Sequence, residues 1–168
     1  MKRSCEQLWD LFLAAGGEAA AGAHGARFSC WQFGLGREQG DRLLDDVLRG
    51  TKRATAGALA VYEHDGEPLP ARGDFSVVTD GTGGGRCVIR TTRVDVVPFD
   101  RVGADHAYAE GEGDRSLRQW RTSHWDFFAC ELAARGLAPA PDMLVVCERF
   151  DVLFVAPDRQ AATPGPAP

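Results

Sequence analysis

Apolar positions along the chain fall into blocks whose spacing changes from one block to the next. Near the N-terminus, Leu8, Leu11 and Phe12 recur at helical spacing, which predicts an amphipathic helix packed on the rest of the protein. Residues 14–27, AAGGEAAAGAHGAR, are small and glycine-rich and read as a linker. REQGDRLLDDVLRG then brings Leu43, Leu44, Val47 and Leu48 to one helical face, with Gly50 as the stop. ALAVYE fits a short helix or a strand, and Gly66, Pro68, Pro70 and Gly73 mark a turn-rich connection after it.

The pattern next becomes that of a sheet. Phe75, Val77 and Val78 precede a glycine-rich turn, and the β-branched run CVIRTTRVDVV follows, a hairpin signal. The GTGGG run lies between two strands, lacks a phosphate-loop lysine and leads into no helix, so it reads as a hairpin loop. DRSLRQWRTSHWDFFACELAARG is the clearest helix, with Asp114 as its predicted N-cap. Its apolar face carries Leu117, Trp120, His124, Phe127, Phe128 and Leu132, and Gly136 ends it. MLVVCERFDVLFV is a strand pair or one long bent strand. Helix, strands, helix, strand, with mostly local pairing, predicts an α+β fold around a mixed or barrel-like sheet. The expected organisation is an N-terminal helix and linker over 1–27, a folded unit over 28–156, and a disordered proline-rich tail over 157–168.

Composition narrows the function classes. The chain has 168 residues, 44% of them hydrophobic and 26% charged, and no apolar run approaches the roughly 20 residues a membrane helix needs. No membrane partner is expected. Cys5, Cys30, Cys87, Cys130 and Cys147 are scattered, odd in number and form no CxxC pair, so reduced thiols and a cytoplasmic location are expected. The histidines show no HxH or HExxH spacing, and no metal site is read from them. A net charge of −5 repels nucleic acid, so any RNA or nucleotide must be held by a local basic cluster. Nothing in the pattern sets an oligomeric state.

Two polar islands carry candidate chemistry. GTKRAT places Lys52 and Arg53 between Thr51 and Thr55 where a helix stops; capping of the helix end is the plain alternative. Lys52 and Thr55 would face the same way on a helical turn, and a lysine with a burial-depressed pKa can take a hydroxyl proton. In the second island, EGEGDRSLRQWRTSHW, the acids Glu110, Glu112 and Asp114 precede a helix, and glycines between them permit unusual backbone angles. Arg115, Arg118 and Arg121 interleave with Trp120, His124 and Trp125, as contacts to single-stranded nucleic acid require. Capping by the acids and core packing by the aromatics are the alternatives.

GTKRATA, YEHDGEPLPARGDFSVV, CVIRTTRVDVVPFDRV and EGEGDRSLRQWRTSHWDFF, in that order, resemble the ASCH-domain family of the PUA-like superfamily. The resemblance spans about Trp31 to Val155 and implies a PUA-like β-barrel flanked by helices, with a cleft around the G-x-K-x-x-T turn. In WQFG, Leu35 follows where relatives often carry an acid. The superfamily is associated with RNA binding. Some ASCH members act as ribonucleases on single-stranded RNA, and a shorter branch removes the acetyl group of N4-acetylcytidine with a lysine, a threonine and a glutamate. The residues these roles imply here are Lys52, Thr55 and Glu112, with Glu110 as the alternative acid. Arg53, Tyr62, Arg115, Ser116, Arg121, Ser123 and His124 are candidates for substrate contact. RNA cleavage is the first expectation, N4-acetylcytidine deacetylation the second, and a non-catalytic RNA or nucleotide reader in translation control the third. A partner-binding role for the N-terminal helix is kept beside them. A divalent metal stays open only as an aid to hydrolysis.

Overall fold

The computed structural model describes residues 2–157, so residues 158–168 of the expected tail lie outside the described residues. The first helix, α1 (Cys5–Ala15), starts with a capping box: Ser4 Oγ accepts from the Gln7 amide and Gln7 Oε1 accepts from the Ser4 amide. It buries Leu8, Trp9 and Phe12 against Phe75, Val77 and Val88, while Leu11 faces outward. The segment expected as a linker is packed. It forms a short helix, α2 (Glu18–Ala21), and buries Ala20 and Ala23 in the same core. Small side chains let this backbone lie close to α1, which composition alone reads as looseness.

Five strands form one mixed sheet in the order β1-β3-β4-β5-β2. The edges are β1 (Phe28–Trp31), parallel to β3 (Phe75–Thr79), and β2 (Ala54–Ala58), antiparallel to β5 (Leu144–Val155). In the centre, β4 (Gly85–Pro98) pairs with β5 from Cys87↔Val155 to Pro98↔Leu144, with register shifts at Val88/Ile89 and Thr91/Arg93. Such bulges bend and twist long strands, so the sheet curls. The expected barrel does not close. Its edge strands are short and do not pair with each other, and a cleft opens between them. The α+β class stands, and MLVVCERFDVLFV resolves as one long strand.

Helices cover the curled sheet. α3 (Arg37–Leu48) packs Leu43, Leu44 and Val47 on Val78, Ile89 and Phe150. ALAVYE resolves as the start of a helix, α4 (Leu59–Asp65). A 3-10 turn (Phe99–Arg101) and a further helix, α5 (Ala104–Glu110), lead to α6 (Leu117–Ala133), whose Trp120, Phe128 and Leu132 pack around Phe99 and Val145. Ser116, not Asp114, caps α6: its Oγ accepts from the Gln119 amide, while Asp114 accepts from the Ser116 amide. Cys5 and Cys30 form a disulfide joining α1 to β1, which corrects the expectation of reduced thiols throughout; Cys87, Cys130 and Cys147 are free. Among the described residues no helix is long and apolar enough to cross a membrane.

Candidate active site

The GTKRAT stretch is a hinge point between three elements. Gly50, at φ +85°, ends α3, and the amides of Thr51 and Lys52 both donate to Asp46 O. Arg53 N donates to Ala109 O, and β2 begins at Ala54, so the segment is irregular chain and strand rather than a helical turn. On the opposite side, α5 ends at Gly111 with φ +71°, and a Cβ there would overlap the Thr51 carbonyl. This close approach lets the acids on either side of Gly111 flank the lysine.

Lys52 is 1% exposed, and its Nζ donates to Glu110 Oε2 at 3.0 Å and to Glu112 Oε1 at 2.8 Å. Burial works against the ammonium, but the two carboxylates outweigh it and hold its pKa above the ordinary lysine value. The burial-depressed pKa that would let the lysine take a hydroxyl proton is therefore not met: Lys52 is a cation at neutral pH. The Phe33 ring centroid lies 5.4 Å from Nζ and closes one side of the site.

The two acids differ. Glu110 is wholly buried, and its Oε1 accepts from Trp120 Nε1 at 2.8 Å, faces His106 Nε2 at 3.1 Å and pairs with His124 Nε2 at 3.3 Å. Burial pushes the Glu110 carboxyl up, yet Lys52 and His124 outweigh it and hold the group well below the carboxylate range. His124 stacks on Trp120 at 4.2 Å between centroids, with Nδ1 3.1 Å from Trp120 O and Nε2 against Glu110. Both nitrogens face acceptors, which only the imidazolium satisfies. Burial lowers its pKa, but Glu110 raises it further, and the net direction is upward. Glu112 has a side chain 25% exposed and a second oxygen without a partner among the described residues.

Lys52, Thr55, Glu110, Glu112, Ser123 and His124 line one small cavity. Through Phe33, Gly34, Thr55, Ala56 and Phe127 it continues into a cleft of about 670 Å³ between the sheet edges. Tyr62 lines that cleft, packed over Gly57, its phenol pushed up to about 12 by burial and then by Glu148, Glu131 and Glu67. Ser123 Oγ donates to Gln119 O at 3.0 Å. The other candidates lie outside both cavities. Arg53 donates to Val47 O and Lys52 O, Arg115 lies 4.9 Å over the Tyr108 ring, Ser116 caps α6, and Arg121 donates to Asp100 O. Each is held by a local structural partner. His106 and Glu148, unmentioned as site residues in the sequence reading, belong to the cluster and the cleft; the i,i+4 spacing of His106 and Glu110 was the available signal.

Glu110, Glu112 and His124 also offer ligand atoms within 4.8 Å of one another. The Lys52 ammonium bonds both carboxylates, and His124 is already turned between two acceptors. A metal would have to displace the protein's own cation, so the donor set fits an ammonium better than a metal ion.

The family model for the ASCH domain matches residues 29–154, and the chain belongs to the ASCH-domain family. The crystal structure of an ASCH domain from Lactobacillus crispatus JV V101 is 33% identical with a TM-score of 0.80, over 88% of this chain and 93% of that one. Protein EF3133 from Enterococcus faecalis V583 is 35% identical with a TM-score of 0.76, over 88% of this chain and 86% of its own. No curated protein matches the chain.

Proposed function

We propose that the protein hydrolyses the amide of a small N-acylated nucleoside of the N4-acetylcytidine type, with Lys52, Thr55 and Glu112 at the reacting atoms. The supporting observation is a fully buried ammonium beside a carboxylate that keeps one oxygen open, with a hydroxyl in the same cavity. Glu112 takes a proton from the attacking water and delivers it to the departing nitrogen. The new C–O bond forms at the acyl carbon, the C–N bond breaks, and carboxylic acid and amine leave. Lys52 stabilises the negative charge that develops on the acyl oxygen. Thr55 orients the acyl group by hydrogen bonding. Glu110, its oxygens already engaged by surrounding donors, positions Lys52 and is a poor base.

Cleavage of single-stranded RNA has less support. The cleft wall carries Asp65, Glu67, Asp74, Glu131 and Glu148, and its one arginine among the described residues, Arg135, is bonded to Asp65. That wall repels a phosphate backbone. Incubating the protein with N4-acetylcytidine and, separately, with end-labelled single-stranded RNA tests the choice by chromatography and gel. Cytidine and acetate with intact RNA are expected; RNA fragments without cytidine would overturn the proposal.

A further inference from the structure

The large cleft contains a second buried carboxyl that the chemistry above does not use. Glu148 is 7% exposed and faces the cleft from the centre of β5. One oxygen accepts from Thr91 Oγ1 at 2.6 Å, and the other has no partner among the described residues. Every fully enclosed side-chain nitrogen and oxygen among those residues is bonded, so this oxygen opens to the cleft. Among the described residues no cation pairs with it: Arg135 is taken by Asp65, and Lys52 by Glu110 and Glu112. A buried acceptor in that condition gains more than most from a donor supplied by a ligand.

Its position says which donor. Glu148 lies directly opposite Thr55 in the β2–β5 register. Opposed residues project from the same face with Cβ atoms about 5 Å apart. Thr55 therefore stands between two chemistries, the Lys52 cluster on one side and a lone acceptor on the other. An amide N–H next to an acyl group at Lys52 would point its hydrogen towards Glu148.

We infer that Glu148 is a specificity-determining residue whose open oxygen accepts the exocyclic N–H of the bound base, so that the cleft takes amino-pyrimidines and rejects their oxo counterparts. The inference rests on the reading of this cleft as a nucleoside site. Burial first, with a smaller contribution from Asp74, pushes the Glu148 carboxyl up against the Thr91 bond, consistent with an acceptor still short of donors.

Titration calorimetry of the full chain with cytidine and with uridine tests it without requiring turnover. Wild type should bind cytidine roughly tenfold or more tightly than uridine, the range expected for a hydrogen bond to a charged group. Glu148→Gln keeps the shape and a partner for Thr91 but turns a donor to the base; its cytidine/uridine ratio should fall to about one or invert. Glu148→Ala, checked by circular dichroism, should bring the ratio to about one, and Glu148→Gln decides if the alanine variant fails to fold. Equal affinities in wild type, no binding of either nucleoside, or an unchanged ratio in Glu148→Gln would overturn the assignment. Cytidine preference lost in Glu148→Gln without any acetate release from N4-acetylcytidine by wild type would support Glu148 and sink the hydrolase reading. Release by wild type with a preference indifferent to Glu148→Gln would do the reverse.

Discussion

Glu110 and Glu148 are both buried carboxyls lining connected cavities, yet their surroundings move them in opposite directions. Glu110 is surrounded by Lys52, His106, Trp120 and His124 and is held well below the carboxylate range. Glu148 has one hydroxyl, and burial pushes its carboxyl up from the ordinary value. Saturation makes a carboxylate part of the scaffold, whereas an unfilled valence leaves it available to a ligand.

Removing the saturated acid should do the most damage. Glu110→Ala leaves Lys52 and His124 charged and buried without their shared counter-ion, and a loss of about 3–5 kcal/mol is expected in urea unfolding. Next in size is the Cys5–Cys30 link, which spans 25 residues and pins the β1 edge of the Glu148 cleft without touching the lysine cluster. The paired Cys5→Ser and Cys30→Ser substitutions should lower stability by about 2–4 kcal/mol. Alkylation of the native chain should find three reactive thiols after denaturation, as Cys87, Cys130 and Cys147 are free.

The open acid should behave otherwise. With its native pKa raised, Glu148 weakens the fold as pH climbs from the unfolded carboxyl value up to the native one, and the deficit persists above it. Glu148→Gln at pH 7 should shift stability by less than about 1 kcal/mol, with the sign stabilising, since it replaces an under-bonded buried carboxylate by a neutral isostere.

The smallest test is a pH limb. The raised His124 contributes stability that is complete below about 6.5 and is lost as pH rises through its higher native pKa. Glu110 contributes stability present above the unfolded carboxylate range and lost only as strong acid reaches its depressed value. Melting temperature should therefore peak in mildly acid solution and decline above neutrality, and His124→Gln should flatten the alkaline side of that peak.

Long periodic segments were readable in advance: α3, α6, the β3–β4 hairpin and β5 all carry apolar positions at a regular period. β2, with the sequence ATAGA, has almost no strand propensity and exists because β5 pairs with it. Helix α5, short and flanked by glycines, was given no element by the apolar pattern, which hid the His106–Glu110 spacing. Lys52, Thr55 and Glu112 were marked by the ordered motifs that the resemblance carried, and the structure gathers them at one cavity. The charge of Lys52 was not readable, because it depends on carboxylates 58 and 60 residues away that the Gly111 contact brings beside it. The disulfide was hidden for a similar reason: its cysteines meet only when α1 docks on the sheet.

The open oxygen of Glu112, next to an ammonium that cannot act as base, is the core of the functional account. Steady-state release of cytidine from N4-acetylcytidine by wild type and by Glu112→Gln probes it most directly. Turnover by wild type and a fall in kcat of about 100-fold or more in the folded variant are expected. An inert wild type, or a variant as fast as wild type, would contradict it.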